Sequence, residues 1–138
     1  MTERCCGIGY EGRTLPELLA ALTAAGVTRL VDVRERPSSR KPGFSKASLD
    51  RELGARGIEY VHCRAAGNPF RHAEGSWTEL YREHLAAHPE ILDALEALVR
   101  GRRAALLCFE AERAECHRGQ LLAGLAARNP GLEVVDLR

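Results

Sequence analysis

Short apolar runs of β type alternate with helices whose ends are sharply marked, and this alternation leaves the chain few folds to choose from. The first run is roughly Cys5 to Tyr10. Thr14-Leu15-Pro16-Glu17 then forms a capping box with Pro in the first turn, Leu15, Leu18, Leu19 and Leu22 lie on one stripe, and Gly26 stops the helix. A second strand, Arg29 to Arg34, leads through a polar loop to a helix from about Ser45 to Arg56, closed by Gly57, and then to a third strand, Ile58 to Cys63. After a second long loop, Arg64 to Gly75, the sequence Ser76-Trp77-Thr78-Glu79 reads as another capping box, opening a helix that ends near Ala87. Pro89 starts the next helix, which runs to about Arg100 with Ile91, Leu92, Leu95, Leu98 and Val99 inward. Ala104 to Phe109 is a fourth strand, a helix begins near Cys116, and Leu132 to Leu137 is a final strand. Strands joined through helices pair in parallel by right-handed crossovers and are covered on both faces. The expected fold is a three-layer α/β/α sandwich with a mostly parallel sheet of about five strands, and 138 residues suit one domain spanning 1–138.

Composition narrows the function classes. Twenty basic and nineteen acidic side chains leave a net charge of +1, which does not supply the broad positive field of a non-specific nucleic-acid binder. Eighteen of the cations are Arg, so their positions rather than their number must carry any argument about anion recognition. Five cysteines, an odd number without paired spacing, argue against a disulfide framework. No run approaches the ~18 apolar residues of a membrane span, and Met1-Thr2-Glu3-Arg4-Cys5-Cys6 lacks the apolar segment of a signal peptide. A cytoplasmic protein with reduced thiols and no membrane partner is expected.

In parallel sheets ligands bind beyond the carboxyl ends of the strands, where the strand order reverses, and here those ends are unusually polar. Two-residue alternation in Leu30-Val31-Asp32-Val33-Arg34 puts Asp32 and Arg34 on one side, and a buried Asp32 needs a cation, with Arg34 or Arg118 in reach. Cys108 and Glu110 share a side at the exit of the fourth strand. Arg118 shares a helical stripe with Leu121, Leu122 and Leu125, which aims its stem at the sheet and its guanidinium at the crevice. A cation in a first helical turn opposes the macrodipole, so an anion is expected there, from Asp32, Glu110 or a ligand phosphate.

Cys116 at the same helix start would have its thiol acidified by the dipole, but neighbours on a helix point about 100° apart, so His117 is not expected to pair with it. The seven residues between Cys108 and Cys116 lack zinc-site spacing, so no metal ligand is assigned among Cys108, Cys116 and His117. The loop after the second strand gathers Arg36, Arg40 and Lys41 beside Ser38 and Ser39 at the same edge. Gly7-Ile8-Gly9-Tyr10-Glu11-Gly12 matches the dinucleotide pattern, yet only Cys5 and Cys6 precede its first Gly as strand-like residues and its third Gly falls before the helix, so a close backbone turn that brings Tyr10 to the crevice fits better. Cys108 and Arg113 have four intervening residues where a phosphatase-type loop has five.

Ile8-Gly9-Tyr10, Leu30-Val31-Asp32-Val33-Arg34 with Pro37 and Ser39-Arg40, Gly57-Ile58-Glu59-Tyr60, Leu107-Cys108-Phe109-Glu110 and Cys116-His117-Arg118 together resemble the domain-of-unknown-function 488 family over nearly the whole chain. The resemblance implies a small bacterial or archaeal α/β domain without an agreed activity. It carries over a polar cluster of Asp32, Arg34, Ser39, Arg40, Glu110, Cys116, His117 and Arg118, while Ala66-Gly67-Asn68-Pro69 stands where members often have Gly-Gly. The leading expectation is a hydrolase or group transferase for a phosphate-bearing small molecule, nucleotide or nucleic-acid end. Tyr10, Arg34, Ser39, Arg40 and Arg118 would bind the anion, and Asp32 or Glu110, with a divalent metal as an open option, would handle the proton. A non-catalytic anion-binding or partner-binding module is the rival, and thiol chemistry at Cys116 with His117 the third reading. On the leading view, Arg118→Ala should lose ligand and keep stability.

Overall fold

The computed structural model describes residues 3–137. Its strands are β1 (Arg4–Gly9), β2 (Arg29–Asp32), β3 (Glu59–His62), β4 (Ala104–Cys108) and β5 (Glu133–Asp136). The helices are α1 (Leu15–Ala24), α2 (Lys46–Gly54), α3 (Trp77–Ala87), α4 (Glu90–Val99) and α5 (Arg118–Arg128). All strand pairs are parallel, in the order β3-β2-β4-β1-β5. On one face Leu18, Leu22, Leu49 and Leu53 of α1 and α2 pack on Ile8, Leu30 and Leu107. On the other, Tyr81, Leu95, Leu121 and Leu125 of α3, α4 and α5 pack on Val31, Val33 and Leu106. The expected three-layer α/β/α sandwich is therefore the fold. No helix among the described residues is long and apolar enough to cross a membrane.

The topology makes the crevice. Strands β1 and β2 feed helices on the first face, whereas β4, which lies between them, feeds α5 on the second, so the chain segments leaving adjacent strand ends diverge.

Local chemistry sets most element ends. The Thr14 box closes, with Thr14 Oγ1 accepting from Glu17 N and Glu17 Oε1 accepting from Thr14 N at 2.9 Å. The Ser76 box does not: Ser76 makes no side-chain cap hydrogen bond, and the buried Tyr81 fastens this helix to the core instead. Strand β2 stops at Asp32, two residues short of the expected end, because Asp32 Oδ1 accepts the Arg34 backbone N–H at 3.1 Å and turns the chain. Gly9 has a steric purpose. A Cβ there would lie 1.8 Å from the Glu110 carbonyl oxygen, so β1 and the segment leaving β4 meet backbone to backbone.

Candidate functional site

Asp32 and Arg34 neutralise each other inside the protein. Arg34 Nε donates to Asp32 Oδ1 at 2.9 Å and Arg34 Nη2 to Asp32 Oδ2 at 2.7 Å, with Asp32 fully buried. The Tyr60 hydroxyl adds a third donor to the carboxylate at 2.5 Å. Arg34 Nη1 is used as well, on the Phe44 carbonyl at 2.7 Å and the Tyr10 hydroxyl at 3.3 Å. Sequence reasoning assigned Asp32 or Glu110 the handling of a substrate proton; in the fold the Asp32 carboxylate is occupied by groups of its own protein. Burial works against the Arg34 cation, and the Asp32 carboxylate more than offsets it, so the guanidinium stays charged.

Arg118, expected among the anion-binding residues, is likewise engaged by its own protein. Its stem lies on the predicted inner stripe and the residue is buried, but the guanidinium does not line the crevice. Nη1 donates to the Glu110 carbonyl at 2.5 Å and Nη2 to the Ala111 carbonyl at 2.9 Å. The anion expected to relieve this cation is thus a pair of peptide dipoles, and its task is to hold the strap that follows β4.

Below that strap two thiols and an imidazole converge. His117 Nδ1 lies 3.7 Å from Cys108 Sγ and 3.7 Å from Cys116 Sγ. His117 Nε2 lies 2.7 Å from the Val33 carbonyl oxygen, which can only accept, so Nε2 carries a proton and Nδ1 is the ring nitrogen that faces the sulfurs. Adjacent positions pair here because Cys116 is not helical: at φ −131° and ψ 144° it is an extended link between the short turn Arg113–Glu115 and α5. The buried Tyr81 ring meets His117 edge-on at 5.2 Å between centroids, and its hydroxyl donates to the Ala66 carbonyl at 2.7 Å, which braces the imidazole.

The two thiols do not ionise together. Burial alone would push the Cys116 thiol up. The neighbouring Cys108 thiol, the His117 ring and the Arg118 backbone N–H outweigh it, bringing Cys116 down to about 6. Cys108 moves the opposite way, first through its interaction with the Cys116 side chain, then through burial and the neighbouring charges of Cys116 and Glu110. Of the two, Cys116 is the more acidic thiol.

Cys108, Cys116 and His117 form part of the wall of a cavity of about 930 Å³ that Tyr10, Arg34, Arg36, Arg40, Arg71 and Glu110 also line. Glu110 stands over the sulfurs, with Oε2 accepting from Cys108 Sγ at 3.5 Å and Oε1 3.7 Å from Arg71 Nη2. Arg36, Arg40 and Arg71 are exposed, and Arg40 reaches the cavity as the sequence suggested. Ser39 does not: its hydroxyl accepts from the Lys41 backbone N–H at 3.1 Å and shapes the loop. Among the described residues, the one group of three or more His, Cys, Asp or Glu with mutually close ligand atoms is Cys108, Cys116 and His117, all within 4.8 Å. Asp32 and Glu110 are not in it.

The family model described as "Domain of unknown function DUF488" matches residues 14–125. The chain belongs to the DUF488 family. No curated protein matches it. Of the polar cluster carried over from the resemblance, this DUF488 domain brings Arg34, Arg40, Glu110, Cys116 and His117, with Tyr10, to one cavity. Asp32 and Arg118 lie behind the wall and Ser39 beside it. Sequence reasoning passed over Arg71, which sits in a loop without any pattern, and Tyr81, whose apolar neighbours read as ordinary core. It weighed Cys108 and left it out, although its place at the carboxyl end of β4 was a usable signal.

Proposed function

We propose that this DUF488 domain is a thiol-dependent group transferase or hydrolase for an anionic, phosphate-bearing substrate, with Cys116 as nucleophile. The observation that carries the reading is the relay Cys116 Sγ, His117 Nδ1, His117 Nε2, Val33 carbonyl, set in the wall of an arginine-lined cavity. A thiol becomes a useful nucleophile when a correctly oriented base takes its proton, and here the backbone fixes that orientation. Carboxylate-only acid–base chemistry loses ground, because Asp32 is saturated by Arg34 and Tyr60.

In the proposed cycle His117 Nδ1 takes the Cys116 proton and Sγ attacks the electrophilic atom of the substrate. A bond from sulfur to the transferred group forms as the bond to the leaving group breaks, and the proton on Nδ1 passes to the leaving group. Water or a second acceptor then cleaves the adduct and returns the thiol. Arg40, with Arg36 and Arg71, supplies positive charge at the mouth, and Glu110 is placed to exchange a proton with Cys108.

The test is iodoacetamide labelling of the chelator-treated protein, read by peptide mass, followed by turnover screening on nucleotides and phosphosugars with wild type and Cys116→Ala. Selective modification of Cys116 and loss of turnover in the variant are expected. An inert Cys116, or turnover that survives its removal, rejects the thiol reading. Phosphate binding retained by Cys116→Ala, without turnover in either protein, leaves an anion-binding module.

A further inference from the structure

We infer that Cys108 Sγ, Cys116 Sγ and His117 Nδ1 form a three-ligand zinc site whose fourth position opens on the cavity. A tetrahedral zinc ion with Zn–S of about 2.3 Å and Zn–N of about 2.0–2.1 Å requires S···N edges of about 3.6 Å and an S···S edge of about 3.8 Å. Both S···N separations here are 3.7 Å, and all three atoms lie within 4.8 Å of one another. Both S···N edges of the coordination figure are already close to size, and closing the figure requires the two sulfurs to draw together to the S···S edge.

The outer contacts fit a ligand set too. A metal-binding imidazole usually donates its other ring N–H to a carbonyl or carboxylate, which fixes the tautomer and aims the free lone pair. His117 does this through Nε2 and the Val33 carbonyl at 2.7 Å. Two thiols and one imidazole are soft and borderline donors, which select zinc over magnesium or calcium. Both sulfurs bind as thiolates, and two thiolates balance the 2+ charge, so the ion and its sulfur ligands together carry no net charge in a buried position. The remaining coordination position faces the cavity, where Glu110, with Oε2 at 3.5 Å from Cys108 Sγ, or an oxygen of a bound ligand is at hand.

The wide sequence separation of Cys108 and Cys116 therefore does not count against metal binding. Strand β4 delivers one sulfur, and the extended link before α5 delivers the other beside the imidazole. The inference rests on ligand geometry and does not require Cys116 to be a nucleophile. Where the thiol reading holds, zinc occupies the same sulfur lone pairs and shields Cys116 from alkylation.

The experiment uses the full chain, stripped with chelator and titrated with zinc against a chromophoric chelator, and with cobalt(II) to read the thiolate-to-metal charge-transfer band. One equivalent of metal and a sulfur-to-cobalt band are expected in wild type. Both should be lost in Cys108→Ser, Cys116→Ser and His117→Asn, while Cys63→Ser, a buried cysteine outside the set, should retain them. If a ligand variant fails to fold, protection of wild-type Cys116 from iodoacetamide by one equivalent of zinc decides. Absence of a stoichiometric site, or equal binding by a folded Cys116→Ser protein, overturns the inference. Zinc binding without labelling of the metal-free thiol removes the nucleophile and keeps the metal, whereas labelling without zinc binding does the reverse.

Discussion

Asp32 and Arg34 form a two-pronged ion pair across a turn of two residues, at 2.9 and 2.7 Å, and the pair is buried at the end of β2. Such a pair is costly to break from one side, because the remaining charge stays out of water. Asp32→Asn is expected to lower the free energy of unfolding by about 3–5 kcal/mol. Urea denaturation followed by circular dichroism measures it. An unchanged midpoint combined with lost turnover would return Asp32 to the chemistry.

Arg118→Ala should behave oppositely to the expectation drawn from the helix dipole. Two charge-assisted hydrogen bonds to the Glu110 and Ala111 carbonyls disappear, at about 1.5–3 kcal/mol each, so a stability loss of about 3 kcal/mol or more is predicted. Isothermal titration of the folded variant with inorganic phosphate should show affinity close to wild type, because the guanidinium does not face the cavity.

In metal-free protein the rate of Cys116 alkylation should rise with pH through a midpoint near 6, where an ordinary thiol titrates at about 8.5. The thiolate is the reactive form, so the rate falls below the midpoint and levels off above it. Cys108→Ala removes a neighbour that lowers the Cys116 thiol and should move the midpoint upward. A pH series of initial labelling rates, with mass detection, reads both.

The arginines at the mouth act through charge. Arg36→Ala, Arg40→Ala and Arg71→Ala each remove an exposed cation, so each should weaken phosphate binding by only about two- to fivefold. Binding should also weaken with added sodium chloride. An affinity indifferent to salt and to all three substitutions would place the anion elsewhere.

Legibility followed the range of the interactions. Thr14, Glu17 and Gly26 mark α1 within a few residues of chain, so its ends were readable, and the buried leucine stripe followed. Asp32 was flagged by an acid among valines, yet its fate depended on Tyr60 and Phe44, which only the folded chain brings near. For Arg118 the helical stripe gave the direction of the stem but not the two carbonyls at its end. The sulfur–imidazole cluster was hidden most deeply. Helical geometry assigned to Cys116 forbids a pair with His117, and one extended residue between two helical turns permits it.

The hydrogen bond from His117 to Val33 has an evolutionary corollary. Its acceptor is main chain, which no codon change can delete, so the protonation pattern of the ring is inherited with the architecture and not with any particular partner side chain. Lineages could therefore exchange the arginines at the entrance and acquire new substrates while the reactive centre below kept its chemistry.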